Sequence, residues 1–253
     1  MKLLWDLEWK TTALTLCLLP SLVWLGFWQV ERAEEKAFLA QQYAVQARQL
    51  AVPVADLLNA SPADARFRRV RMSGYFDPDA VVLLDNQIRD GRYGHDVFNV
   101  FYDTASQRAL LVNRGWVNGD PSRQSLPTIE IPSGEMSLEA RVYISPGKPY
   151  LLQEDSFTDV EWPLLVQTVA SDDLRRALEA RLNRPLFSRE LRLLPNEAHG
   201  FRRDWPIVNV SPSKHQGYAV QWFTMAAALA LLFLFRSSNL RDVLKTRGTG
   251  SDH

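Results

Sequence analysis

Cysteine is almost absent. Cys17 is the one thiol in 253 residues, so no intramolecular disulfide staples the chain. Only four histidines accompany it, which removes a multi-cysteine zinc cage as an organising element. A surplus of charge is missing too: Lys plus Arg and Asp plus Glu each number 29. A protein that grips a phosphate backbone needs a marked basic excess, so no nucleic-acid partner is expected. The chain also lacks G-x-S-x-G, H-E-x-x-H, G-x-x-x-x-G-K, G-x-G-x-x-G and paired cysteines. No nucleophile elbow, zinc-protease helix, phosphate loop or dinucleotide fingerprint therefore marks an enzyme. The adjacent carboxylates Glu154 and Asp155 sit in a polar loop and take no role.

Two long uncharged runs are present. Residues 11–30, TTALTLCLLPSLVWLGFWQV, extend 20 residues without a charge, about 30 Å as a helix, which is the thickness of a bilayer's hydrocarbon core. Residues 219–235, AVQWFTMAAALALLFLF, add 17 more and are closed by Arg236. Neither run has the polar stripe of a core helix, so both read as transmembrane spans. Trp5, Trp9, Trp24, Trp28 and Trp222 lie near their ends, as in an interfacial aromatic belt. Pro20 removes one backbone donor from the first span and predicts a bend that a neighbouring helix would help absorb.

The first run ends without a small-residue cleavage site and is expected to stay as an anchor. The head MKLLWDLEWK contains Asp6 and Glu8 but no Arg, unlike a mitochondrial transit peptide, so the membrane reads as a bacterial inner (plasma) membrane. Lys2 and Lys10 in the head, and Arg236, Arg241, Lys245 and Arg247 in the tail, place residues 1–10 and 236–253 in the cytoplasm. Residues 31–217 then form a periplasmic domain. Its 23 basic and 25 acidic residues give a net charge of minus two, so no global field draws it onto acidic lipid.

Residues 31–51 are free of Gly and rich in Ala, Glu, Gln and Arg, which predicts a helical stalk continuing the first span. Strands are predicted over 66–76, 80–87, 95–102, 109–117, 137–145, 186–194 and 206–210, separated by turn signals such as Asp77-Pro78, Asp90-Gly91 and Asn118-Gly119. Short connections predict antiparallel pairing. One helix is predicted over 171–183: Ser171 caps it, Asp172 and Asp173 suit its positive end, and Leu174, Leu178 and Leu182 form one apolar face. The expected class is thus a membrane protein whose two transmembrane helices flank an α+β, mainly antiparallel, extracytoplasmic domain.

Three clusters stand above this background. Gly26, Trp28, Gln29, Arg32 and Lys36 follow the first span and read either as an interface anchor, Arg32 and Lys36 meeting lipid phosphates, or as a docking surface. Ahead of the second span, His215, Tyr218 and Trp222 fall at i, i+3 and i+7, one face of a helix that begins nearby. That imidazole reads either as a capping or interfacial residue or as a ligand for haem iron. In residues 110–117, period two puts Leu110, Val112, Arg114 and Trp116 on one face, so the Arg114 guanidinium needs an acidic partner or the face of Trp116. The run Arg66, Arg68, Arg69 and Arg71 reads as a solvated or edge-protecting strand.

Several short patterns in fixed order carry a resemblance: Gly26, Trp28, Gln29, Arg32 and Lys36; Val70-Arg71 with Gly74; Leu111-Val112-Asn113-Arg114-Gly115-Trp116-Val117; and His215, Gly217-Tyr218-Ala219, Gln221-Trp222-Phe223. In these, and in its two-span layout, nearly the whole chain resembles the Surfeit-locus assembly factors for cytochrome c oxidase. The family's Pro-Asn-Asn-His is here Pro212-Ser213-Lys214-His215, so the two amides are replaced. The resemblance implies a non-enzymatic helper that assists insertion or stabilisation of haem a in oxidase subunit I. Its implied partners are subunit I, the haem a biosynthesis and insertion proteins and the lipid bilayer. No cofactor is required; a transient haem a contact at His215, Tyr218 and Trp222 is what the resemblance implies. Gly26, Trp28, Gln29, Arg32, Lys36, Arg114, Gly115, Trp116 and Gly217 are its implied interface residues. A scaffold that never touches haem, and a membrane-anchored extracytoplasmic sensor or binding domain, are the other readings; a sensor would call for a signalling module larger than the 18 residues after Phe235.

Overall fold

The computed structural model describes residues 4–145, 157, 161–205 and 210–239. In chain order the elements are α1 (Trp9–Ala47), β1 (Val52–Pro53), a 3-10 turn (Val54–Leu57), α2 (Pro62–Ala65), β2 (Arg69–Arg89), β3 (Arg92–Asp103), β4 (Arg108–Asn118), β5 (Met136–Tyr143), β6 (Leu164–Val166), α3 (Asp172–Leu182), β7 (Glu190–Leu193) and α4 (Pro212–Arg236). They form two compact units. One holds the described residues up to Gln41 and from Val210 onward; the other holds the described residues between Gln42 and Trp205.

The first unit is an antiparallel pair of helices, both long and apolar enough to cross a membrane. α1 runs unbroken through Pro20. Its hydroxyls fold back onto the backbone one turn earlier, Thr15 donating to the Thr11 carbonyl and Ser21 to that of Cys17, which leaves no polar side chain seeking a partner there. At the α1 start and the α4 end, Asp6 N–H donates to Ser237 O, Asn239 N–H to Leu4 O, and Arg236 lies 3.7 Å from Glu8.

The second unit is a mixed sheet closed on itself. β2, β3 and β4 form an antiparallel meander; β4 pairs parallel with β7, β7 antiparallel with β5, and β5 antiparallel with β2. Those five strands make a ring, and β1 and β6 add to β2 in parallel. The expectation of antiparallel pairing therefore holds for the meander and is corrected for β1, β6 and β7. Closure removes the exposed sheet edges that a meander alone would leave. The cluster to which all five ring strands contribute, including Met72, Phe101, Leu110, Ala140 and Leu191, is the ring's interior, with Val54 and Leu57 of the 3-10 turn packed into it. On the outer side, Val82, Phe98, Val100 and Leu111 meet Leu174 and Leu178 of α3. α3 starts and stops on local signals: the Ser171 hydroxyl accepts from Leu174 N–H, and Asn183 takes the left-handed conformation that ends the helix.

The two strands predicted over 66–76 and 80–87 are one, β2. Asp77-Pro78 does not turn the chain because the Asp77 carboxylate accepts from the Asp79 and Ala80 amides, confining the irregularity to a register shift between Phe76 and Val81. Nor does the arginine run lie on an edge strand: Arg66 and Arg68 precede β2, Arg69 and Arg71 lie on it, and β2 is flanked by β1, β3, β5 and β6; Arg66, Arg68 and Arg69 bond to Ile144 O, Gln49 and Glu139. Of the strand expected over 206–210, only Val210 lies within the described residues, and it is not in a strand. Glu154, Asp155 and the tail beyond Asn239 also lie outside them.

His95 is buried on β3 beside Asp85 and the ring of Tyr93. Burial pushes its imidazole below the ordinary value of 6.5, against the opposing pull of Asp85. The unfolded chain takes up this proton first as pH falls, so the folded state loses stability from about 6.5 down through the folded value. Denaturant unfolding of the full chain should show this acid-side loss, and His95→Gln should flatten it; an unchanged slope in the variant would remove His95 as its source.

Candidate functional site

The helix pair packs along a seam of small side chains. The buried residues of α1 are Thr15, Gly26 and Ala33, and those of α4 are Ala219 and Ala226. Gly26 and Ala33 are seven apart, as are Ala219 and Ala226, so each set lies on one face of its helix. A Cβ on Gly26 would stand 2.5 Å from the Phe223 ring; only hydrogen at that position lets the helices approach so far. Phe27 then meets Phe223 edge-on, ring centroids 5.2 Å apart.

On the same seam, one turn from Gly26, Gln29 reaches across to α4: its Oε1 lies 2.8 Å from His215 Nδ1. These two residues are 186 positions apart in sequence. Helical rise places the Gln29–His215 contact about 31 Å from the Glu8–Arg236 pair along either helix, since 21 positions separate the contacts on both. His215 is half-buried, while Tyr218 on the following turn is 51% exposed and Trp222 half-buried. α4 begins at Pro212, so His215 lies in its first turn, where Ser211 contributes no side-chain cap bond.

The other α1 residues of the cluster form a short surface ladder. Arg32 pairs with Glu35 and lies over the Trp28 ring, 6.0 Å to the centroid, and Lys36 comes within 3.9 Å of the same Glu35. A carboxylate thus stands between the two cations expected to face lipid phosphates. Gly217 has open space where a Cβ would be, so no close approach explains that glycine.

Arg114, Gly115 and Trp116 lie on β4 in the other unit. The β3–β4 register shifts between Val97 and Phe98, leaving Arg114 without a ladder partner. The alternation that would place Arg114 and Trp116 on one face is broken at this extra residue. Arg114, 3% exposed, forms no ion pair with a carboxylate among the described residues; its Nε donates to His199 O at 2.7 Å, and its Nη1 to Asn99 Oδ1 at 2.9 Å and Glu130 O at 3.0 Å. Phe201 covers its guanidinium at 4.7 Å and Phe76 at 5.4 Å. The expected ion pair is therefore corrected to three neutral acceptors, and the expected stack on Trp116 to one on Phe201. Burial lowers the Arg114 pKa to about 10, so the group stays charged at neutral pH.

Gly115, at φ +118, is where the 201–203 segment crosses β4: a Cβ would stand 2.7 Å from Arg202 O. Phe201 N–H donates to Arg114 O and Trp116 N–H to Arg202 O, while the Trp116 indole donates to Gln87 O. A second polar network was not foreseen: Arg89–Asp96–Asn113–Glu190–Arg192, with Trp205 beneath both arginines. Its charges alternate and are paired, so it reads as structure. A cleft of about 260 Å³ between α3 and β7 has its arginines engaged as well, Arg175 with Glu179 and Arg189 with the carbonyls of Leu57 and Ala60.

The chain thus carries two apolar helices, linked through side chains by Gln29–His215 and Glu8–Arg236, and a closed mixed sheet. A family model described as the SURF1 family matches residues 16–227, from Leu16 of α1 to Ala227 of α4. A "SURF1-like protein" of Rickettsia felis (strain ATCC VR-1525 / URRWXCal2) is 24% identical over 246 residues, covering 92% of this chain and all of that relative. The chain belongs to the SURF1 family, a family of oxidase assembly factors and not of enzymes.

Three substitutions test this geometry. Gly26→Ala should destabilise the helix pair by about 1–3 kcal/mol through overpacking, and Phe223→Ala in the same chain should recover part of the loss; thermal unfolding of the solubilised full chain reads both, and an unchanged Gly26→Ala variant would refute the close approach. Arg114→Ala leaves three acceptors unpartnered and a void, and should cost about 3 kcal/mol in pulse proteolysis of the sheet unit. A loss below about 0.5 kcal/mol would show that the guanidinium is not part of the fold's support.

Proposed function

We propose that this chain is a cytochrome c oxidase assembly factor of a bacterial inner membrane that assists haem a insertion into subunit I, or its stabilisation there. In this reading α1 and α4 span the bilayer, both termini are cytoplasmic, and the sheet unit is periplasmic. The carrying observation is the Gln29–His215 contact, one bilayer thickness from the Glu8–Arg236 pair. In this reading the imidazole lies at a water boundary, where a porphyrin with a long isoprenoid tail would partition. The exposed Trp9, Trp24 and Trp28 and the basic residues of the head and tail favour the same orientation.

The donor set suits haem. With Nδ1 engaged by Gln29, His215 would have Nε2 free to hold the haem iron, and the exposed Tyr218 would leave the flank open to a flat ligand. Haem a, when bound, supplies the redox centre that the oxidase requires. The chain's own residues would hold it at one face, exclude water from the iron side with Tyr218 and Trp222, and present it to subunit I or receive it from the haem a synthesis and insertion proteins. Trp28, Arg32 and Lys36 would form part of the dock.

The protein is to be purified from cells that make haem a and its spectrum compared with that of His215→Ala. A Soret band present in the first and strongly diminished in the second is expected. Identical absorption in both removes the ligand role and leaves a scaffold for oxidase intermediates.

A further inference from the structure

We infer that Gln29 is a positioning residue: its amide oxygen holds His215 in the Nδ1–H tautomer, so that Nε2 is the nitrogen presented to an incoming iron porphyrin. The haem part of this inference rests on the function proposed above; the tautomer does not. Gln29 turns Oε1 toward Nδ1 of His215, 2.8 Å away; a carbonyl oxygen only accepts, and that pairing puts the proton on Nδ1. A neutral imidazole carries one proton, which leaves a lone pair on Nε2. Free in water, a neutral histidine favours the opposite tautomer, with the proton on Nε2 and that nitrogen blocked as a ligand. The contact therefore changes which nitrogen is available.

The seam makes the contact possible. Gly26, Gln29 and Ala33 recur at i, i+3 and i+7 on α1, and His215, Ala219 and Phe223 at four-residue steps on α4. Because Gly26 admits the Phe223 ring, the helices are close enough for a glutamine to span the gap. Gly26, itself buried, and Ala33 flank Gln29 along α1, which limits the water that would compete for its amide. The arrangement is the one found behind metal-bound histidines elsewhere: an acceptor on one ring nitrogen fixes ring rotation and tautomer and raises the basicity of the other. A simple helix-to-helix hydrogen bond would make the same distance, so the test must read the proton and not stability alone.

The full chain, labelled with ¹⁵N-histidine and free of haem in phospholipid nanodiscs, is compared as wild type, Gln29→Glu and Gln29→Leu, with His215→Gln to assign the resonance among the four histidines. Wild type and Gln29→Glu, both acceptors, should show a protonated Nδ1 and bare Nε2; Gln29→Leu should move His215 to the Nε2–H form. A wild type with Nε2–H, meaning an amide that donates instead, overturns the inference, as does a tautomer unchanged in Gln29→Leu. In haem-loaded samples the iron–histidine stretching band should rise in Gln29→Glu and fall in Gln29→Leu. If the tautomers behave as stated but no such band appears in wild type, the positioning role stands and the haem reading fails.

Discussion

The close approach of two apolar helices at Gly26 governs the chemistry of the helix pair. A helix pair in an apolar medium gains nothing from hiding apolar surface, so it depends on tight van der Waals contact and a few polar bonds. Hydrogen at Gly26 admits the Phe223 ring, small residues at Ala33, Ala219 and Ala226 line the seam, and the gap shrinks to what one glutamine bridges. Widening it by a methyl group would affect packing and the His215 contact together.

In the sheet unit the corresponding constraint is a buried cation. A guanidinium out of water is tolerated only when its donors are met, and Arg114 meets them with acceptors from β3, from residue 130 and from residue 199. Those acceptors come from distant parts of the chain, so one side chain secures the returning 199–205 segment that Gly115 lets cross the strand. Arg89, Asp96, Asn113, Glu190 and Arg192 use alternating charge to the same end. Burial raises the Glu190 carboxyl, with Arg192 and Asn113 opposing.

What could be read from the sequence is what local chemistry decides. α3 is announced by its Ser171 cap, acidic first turn and leucine spacing, and α1 and α4 by uncharged length. What depends on distant pairing is silent. β1 and β6 have two and three residues and pair in parallel, too short to leave a pattern. Asp77-Pro78 looks like a turn because the amide-capping carboxylate that turns it into a bulge is visible only in three dimensions. The parity break at Arg114 comes from an extra residue in the ladder, and the partner of His215 lies 186 positions away; no window along the chain contains both. The oddness of Arg114 in an apolar strand, and of a Gln at the end of an apolar run, were the available signals, and both marked residues whose partners are remote.

The most direct measurement is made in a strain lacking this protein and any second copy of it: oxidase activity together with haem a content of the oxidase. Loss of activity with depleted haem a, restored by the wild-type chain, is the expected result. Normal values of both in that strain would contradict a role in oxidase assembly.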